Sequence, residues 1–148
     1  MSAPSVMIVL PTLGHRTETL ELALASCDTL VGALSATVYL VAPASATGAR
    51  ALGVASGATI VDDPGAGMAE AINAALEADG EHTYYVWLGD DDLLVGQGIS
   101  RAVAALDEDS HAVVAYGHCD YMDAQGNSLA LNRAGKLARF VLPWGPNL

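Results

Sequence analysis

Two rhythms of apolar residues alternate along the chain. "VMIVL" (6–10), "TVYLVA" (37–42), "ATIV" (58–61), "YYVWL" (84–88) and "AVVAY" (112–116) are short apolar runs rich in β-branched and aromatic residues, several of them closed by Pro, Gly or Asp. This is the pattern of buried strands. Between the strands the period lengthens. Leu20, Leu24, Cys27 and Val31 recur at helical spacing, a small helical stretch follows the turn "PASATG", and Ile99, Ala102, Val103 and Leu106 form another helical stripe. Met68, Ala71, Ile72, Ala75 and Leu76 trace the most regular one, an amphipathic helix that starts after Gly67. Thr17 is placed to cap the first helix, with Glu18 in the first turn to suit its dipole, and Gly80 is placed to end the helix from Gly67. "MDAQGNS" (122–128) reads as a hairpin turn, because Gly126 and Asn127 both tolerate positive φ.

Repeated β-α-β units with near-continuous apolar strands predict an α/β fold, a mainly parallel sheet covered by helices on both faces. Ligands in such sheets bind beyond the carboxyl ends of the strands, at the point where strand order reverses. The segments that matter most are therefore "PTLGHR", "APASA", "DDPGAG" and "GDDD", each directly after a strand. At 148 residues the chain is expected to be one domain, 1–148, with no repeat or interdomain linker.

The last of these segments carries the chemistry. Asp90, Asp91 and Asp92 stand side by side where an apolar strand ends. Three like charges repel, and a divalent cation turns that repulsion into binding; hard carboxylate oxygens select Mg²⁺ or Mn²⁺, normally with phosphate oxygens completing the shell. The other reading is structural: aspartates ahead of "LLVGQGI" as caps of the following helix. "GAGMAEAIN" (65–73) resembles a phosphate loop at a helix start, but it lacks the Walker lysine and the third glycine of the dinucleotide fingerprint. Asn73, a poor helix former inside a helix, is either solvated or a brace for a neighbouring loop. His15, His82 and His111 have no partner at ligand spacing and read as solvated or loop histidines. His118 and Asp120 could share a ligand, with Cys119 between them as a small packed side chain. No G-x-S-x-G elbow supports hydrolase chemistry.

Composition narrows the classes. With 52% hydrophobic and 16% charged residues the chain is a folded one. A net charge of −11 argues against nucleic-acid binding yet allows a phosphorylated ligand neutralised by a metal. No apolar stretch reaches the ~18 residues of a membrane span, and no basic segment precedes an apolar one at the N-terminus, so a cytoplasmic location is expected. Cys27 and Cys119 fit neither a disulfide framework nor a zinc spacing.

Together, four segments resemble the family 2 inverting glycosyltransferases, which have the GT-A fold and use nucleotide-diphosphate sugars. "VMIVLPT" is similar to that family's first strand and Pro-Thr turn, "GAGMAEAINAAL" to its Gly-x-x-x-Ala-x-Asn helix through Gly67, Ala71 and Asn73, "YYVWLGDDDLL" to the strand entering the Asp-x-Asp (DXD) motif, and "VVAYGHCDYMDAQGN" to the strand and hairpin that follow. The order matches and nearly the whole chain is covered. The resemblance implies a glycosyltransferase of hexosyltransferase type, with Asp91 and Asp92 as ligands of Mn²⁺ or Mg²⁺. Pro11, Thr12, Arg16, Asp63, Gly67, Asn73 and Asp90 would bind the nucleotide-sugar, which is UDP-, GDP- or dTDP-linked. Asn73 would face inward and brace the backbone of residues 88–90. A homo-oligomer is among the partners allowed. The departures are equally definite. The family's acidic residue after the second strand is replaced by Ala42-Pro43-Ala44, the basic residue before the motif glycine by Ala66, and the first aspartate of the metal motif aligns with Gly89. The family's catalytic base and acceptor-binding segment come beyond "LPWGPNL", which leaves Asp120 as the first base candidate here. A catalytically silent nucleotide-sugar module of the same fold is the alternative. A nucleotidyltransferase is the third, although "PTLGHR" offers only Gly14 and Arg16 to its phosphate loop.

Overall fold

The computed structural model describes residues 5–31, 34–78, 82–133 and 135. Their elements run β1 (Ser5–Pro11), α1 (Thr17–Val31), β2 (Ser35–Ala42), α2 (Thr47–Ala55), β3 (Thr59–Asp62), α3 (Met68–Ala78), β4 (Tyr84–Trp87), α4 (Gly96–Glu108), β5 (Cys119–Met122) and β6 (Ser128–Asn132). The chain divides into two compact units, Met1–Val103 and Ala104–Leu148.

In the first unit a four-stranded sheet has the order β3-β2-β1-β4, and every pairing in it is parallel. The expected α/β architecture is present. β1 is central, and Val6 to Leu10 are all buried because helices cover both of its faces. Val6, Ile8 and Leu10 pack with Leu20, Ala23, Leu24, Cys27 and Leu30 of α1, Ala49 of α2 and Val103 of α4. Met7 and Val9 point the other way, toward Tyr39, Val41 and the Ala71 and Ala75 of α3. Topology explains this division. The crossovers β1-α1-β2 and β2-α2-β3 move along the sheet in one direction, whereas β3-α3-β4 returns past β1. With right-handed crossovers, reversing direction puts α3 on the opposite face. The reversal also creates the switch point, between the carboxyl ends of β1 and β4.

β4 closes the sheet order. Its Tyr85 and Trp87 share a face with Met7 and Val9 but stay 57% and 49% exposed, because α3 packs over β1, β2 and β3. Among the described residues no helix is long and apolar enough to cross a membrane.

Several expectations need correction. Thr17 is the first residue inside α1; the carbonyl of Arg16 accepts the first helical bond from Leu20, at 3.0 Å, so Arg16 holds the cap position. Leu30 is a further buried residue of α1, and the Val31 side chain lies outside the described residues. His82 lies in the loop ahead of β4, one of the two readings allowed for it, and is half-buried with its ring edge-on to Tyr39 at 6.1 Å between centroids. Gly80 and the "LPWGPNL" segment lie outside the described residues.

In the second unit, β5 and β6 form an antiparallel hairpin around the expected turn. Gly126 takes φ +83° there, while Asn127 keeps a negative φ and instead pairs with Asp123. The run 112–116 is not a strand. Apolar β-branched composition favours a strand only where a neighbour pairs with it and a face is covered, and Val113 is 90% exposed. Cys119 is exposed rather than packed, in a hairpin whose strand residues are exposed throughout.

Candidate functional site

The site at the switch point is assembled from the loops that follow β1 and β4. The first loop leaves the sheet at the half-buried Pro11. Thr12 continues the strand pairing by one bond, its N–H donating to Val41 O at 2.9 Å, and is buried. Its hydroxyl accepts from the Gly14 N–H at 3.0 Å, closing a tight turn. Gly14 is obligatory there on two counts. It sits at φ +80°, and a Cβ on it would lie 2.6 Å from the Ala46 side chain. The turn delivers Arg16 to the head of α1, with its side chain 56% exposed over the carboxyl end of the sheet.

The second loop is fixed at both ends. Leu88 N–H donates to Val9 O at 2.9 Å, and Leu94, a core residue, donates its N–H to Ser26 Oγ of α1, also at 2.9 Å. Between these anchors the Asp92 N–H returns to Gly89 O at 3.2 Å, a turn that carries Asp90 and Asp91 at its corners. A β-carbon on Gly89 would lie 2.7 Å from Asp92 Oδ2 and 3.2 Å from Asp91 Oδ1. Both carboxylates therefore fold back over the space that glycine leaves open. Asp91 Oδ1 and Asp92 Oδ2 thus lie on the same side of the turn, over Gly89. The capping alternative does not hold, since α4 starts at Gly96 and its first bonds go to the Val95 carbonyl.

Asp90 plays a different part. Its carboxylate is buried, accepts from the Thr12 hydroxyl at 2.6 Å and lies 3.6 Å from the Arg16 guanidinium. The same guanidinium donates from its other nitrogen, Nη1, to Asp91 Oδ2. Thr12, Arg16, Asp90 and Asp91 thus form one connected group spanning β1 and β4. Asp92 has no side-chain partner among the described residues. A buried anion needs such hydrogen-bonded company. An exposed pair such as Arg16–Asp91 is worth only a fraction of a kcal/mol, on the order of 0.2–1, so it can exchange partners.

Other candidates lie elsewhere. Asp63, after β3, uses Oδ1 to accept from Gly65 N–H at 2.8 Å and so shapes the loop ahead of α3. Gly67 takes φ +109° and its carbonyl accepts the first bond of α3 from Ala71. Asn73 is exposed, and its side chain makes no hydrogen bond among the described residues, so the expected brace to residues 88–90 is not formed. The reason is helical phase: Ala71 and Ala75 face the sheet, and Asn73 falls between them on the outward side. Asp120 belongs to the second unit, exposed, with its Oδ1 accepting from Ser128 Oγ at 2.5 Å. Sequence reasoning passed over Arg50. It bonds Ala42 O at 3.0 Å and Asp62 Oδ1 at 2.7 Å, tying α2 to the carboxyl ends of β2 and β3 where no acidic residue follows β2. An arginine eight residues after Ala42, ahead of the acid pair Asp62-Asp63, was the available signal.

The donor chemistry suits a small hard cation. Asp91 and Asp92 offer two converging carboxylates, the number that Mg²⁺ commonly takes from protein when phosphates and water supply the rest. Among the described residues no group of three or more His, Cys, Asp or Glu side chains gathers around a metal position. A cation here would accordingly depend on its ligand's oxygens.

No protein-family model and no curated protein matches the chain. Solved structures do. One is glucosyl-3-phosphoglycerate synthase from Mycobacterium tuberculosis in complex with uridine-diphosphate, similar with a TM-score of 0.55 and 22% sequence identity over 70% of this chain. The chain spans 40% of that protein's length. At that identity the likeness speaks for the fold: a GT-A, Rossmann-like α/β fold with a mainly parallel central sheet.

Proposed function

We propose that this chain is the donor-binding part of a glycosyltransferase that takes a nucleotide-diphosphate sugar and a divalent cation, Mn²⁺ or Mg²⁺. The observation that carries the reading is the convergence of Asp91 and Asp92 over Gly89, beside Arg16, at the switch point. A strongly acidic chain has little reason to set Asp91, Asp92 and Arg16 together at the ligand-binding edge of a sheet unless a charged ligand completes the set.

In this reading the loop after β1 receives the nucleoside. Pro11 and the buried Thr12 form a rigid rim, and the positive-φ turn at Gly14 keeps side chains out of it. Arg16 meets the diphosphate, for which a guanidinium has complementary donor geometry. Asp91 and Asp92 would hold the cation, whose contribution is to neutralise charge on the leaving diphosphate. Asp90, held by Thr12, fixes the loop that presents them. The loops that Asp63 and Gly67 shape border the same edge of the sheet.

Calorimetry with UDP, UDP-glucose, GDP-mannose and a dTDP-sugar, with Mn²⁺ and with EDTA, tests the reading on the wild-type chain and on Asp91→Asn and Asp92→Asn. Mn²⁺-dependent nucleotide binding that weakens in both variants supports it. Equal binding by all three proteins, or binding indifferent to EDTA, removes the metal; absence of binding to every nucleotide removes the function.

A further inference from the structure

We propose that Arg50 selects the nucleobase: the open edge of its guanidinium makes a forked pair with two acceptors on one edge of the base, the pattern of guanine O6 and N7. The inference rests on the donor-binding reading above and deepens it by naming the nucleotide, a guanosine diphosphate.

Three features carry it. First, Arg50 stands where the base would lie. A nucleotide whose diphosphate sits at the switch point between β1 and β4 runs along the carboxyl edge of the sheet. From there to the β2–β3 pair is two strand spacings, about 10 Å, which a ribose bridges. Arg50 Nη1 is on that pair, 3.0 Å from Ala42 O and 2.7 Å from Asp62 Oδ1. The loop after β1 borders the same place. Thr12 N–H donates to Val41 O, one residue before Ala42, and Gly14 lies against Ala46 and Ala49 at the head of α2.

Second, the guanidinium is held while its fork is open. Both bonds use Nη1; Nε and Nη2 make no hydrogen bond or ion pair among the described residues. The side chain is only 29% exposed, so the open donors are partly desolvated and their direction is set by the two acceptors on Nη1. Nε–H and Nη2–H are parallel donors in a rigid plane. No side chain competes for them from β2, which is followed by Ala42-Pro43-Ala44, and the adjacent Asp63 uses Oδ1 to accept from Gly65 N–H.

Third, such a fork discriminates by chemistry. Guanine sets two acceptors, O6 and N7, side by side on the edge away from the ribose. Adenine has N7 beside an amino donor, which faces the guanidinium with hydrogen against hydrogen. Uracil O4 has a C–H on one side and an N–H on the other. Cytosine pairs N3 with O2, but that O2 lies next to the ribose.

The test is calorimetry on the 148-residue chain in Mn²⁺ buffer with GDP, UDP, CDP and ADP. Wild type should bind GDP about 5- to 150-fold more tightly than the other three, the discrimination of one bidentate arginine–guanine pair. Arg50→Lys keeps the charge and can still reach Asp62 but has no fork, so it should bring the GDP-to-UDP affinity ratio to within about twofold of unity. Asp62→Asn, at an exposed position, loosens the guanidinium without removing it and should lower the ratio in the same direction, by less. A purely structural Arg50 would weaken all four nucleotides alike, so the ratio separates the two roles. Unfolding midpoints report whether the variants are folded; should Arg50→Lys not fold, the wild-type preference and its fall in Asp62→Asn decide. A wild type that binds UDP, CDP or ADP as tightly as GDP, or a ratio unchanged in the folded variants, would overturn the proposal and leave the donor-binding reading standing. No binding of any nucleotide would overturn both.

Discussion

Thr12 and Asp90 stand 78 residues apart in the chain and are joined by a 2.6 Å hydrogen bond from the threonine hydroxyl to Asp90 Oδ2. They are the two buried polar side chains among the described residues. The bond crosses from the loop after β1 to the loop after β4, so it closes the switch point from beneath and leaves Asp91 and Asp92 facing out above it.

Thr12→Val should therefore destabilise the fold. It keeps the shape, removes the donor and leaves a buried carboxylate oxygen unpaired, a loss of about 1–3 kcal/mol. Thr12→Ser should recover most of it. Urea unfolding of the three proteins, with unchanged m-values, checks the expectation.

Within the loop after β4, stability and binding fall to different aspartates. Asp90→Asn should lower the unfolding midpoint, because the carboxylate it replaces is buried and bonded to Thr12. Asp92→Asn should leave the midpoint within about 0.5 kcal/mol of wild type, since its side chain is exposed and unpaired, and should reduce Mn²⁺-dependent UDP binding. A folded Asp92→Asn protein that binds Mn²⁺ and UDP as wild type does would place the cation elsewhere.

Gly14 and Gly65 both adopt positive φ, at +80° and +74°. Only Gly14 also has a neighbour in the way, Ala46 Cβ at 2.6 Å from a built β-carbon; Gly65 has nothing within 4 Å. Gly65→Ala should cost about 1 kcal/mol from conformation alone. Gly14→Ala should cost about 1–3 kcal/mol more, from overpacking against α2. Thermal unfolding of the pair measures the difference directly.

The two thiols should behave oppositely. Cys27 is buried in the α1 face of the core, and that burial pushes its pKa up to about 11, with the nearby Asp28 charge adding to it and the Ser26 hydrogen bond opposing. Cys119 is exposed. At pH 8 a thiol reagent should modify one cysteine per native chain, at Cys119, and reach Cys27 only on unfolding. The sign of the linkage follows. The folded state holds the Cys27 proton more tightly than the unfolded state, whose value is 9.0, so this contribution to stability is complete below pH 9 and is lost as pH rises toward about 11. Unfolding midpoints from pH 8 to 11, wild type against Cys27→Ala, isolate it.

Local pattern was sufficient wherever a segment's partners are dictated by periodicity. The strands at 6–10, 37–42, 58–61 and 84–88 and the helix from Met68 are all present, because buried parallel strands and amphipathic helices announce themselves in the sequence that forms them. The run at 112–116 carries a similar local signature and is not a strand, because pairing depends on a neighbour supplied from elsewhere. Asn73 failed for a related reason: its place in a motif-like spacing said nothing about which way α3 would turn, and Ala71 and Ala75 decided that by packing on Met7 and Val9.

By itself, then, the sequence determined the α/β class, the strand ends on which a ligand site could lie, and the acidic run at one of them. Those features depend on neighbours a few residues away along the chain. Only the tertiary structure decided that the three aspartates do three different things. Asp90 is buried under Thr12, Asp91 is held by Arg16, and Asp92 is left without a side-chain partner. Identical side chains in consecutive positions have no local reason to differ. The difference comes from parallel pairing of β1 with β4, which brings residues 78 positions apart within 2.6 Å and sets one carboxylate inward and two outward.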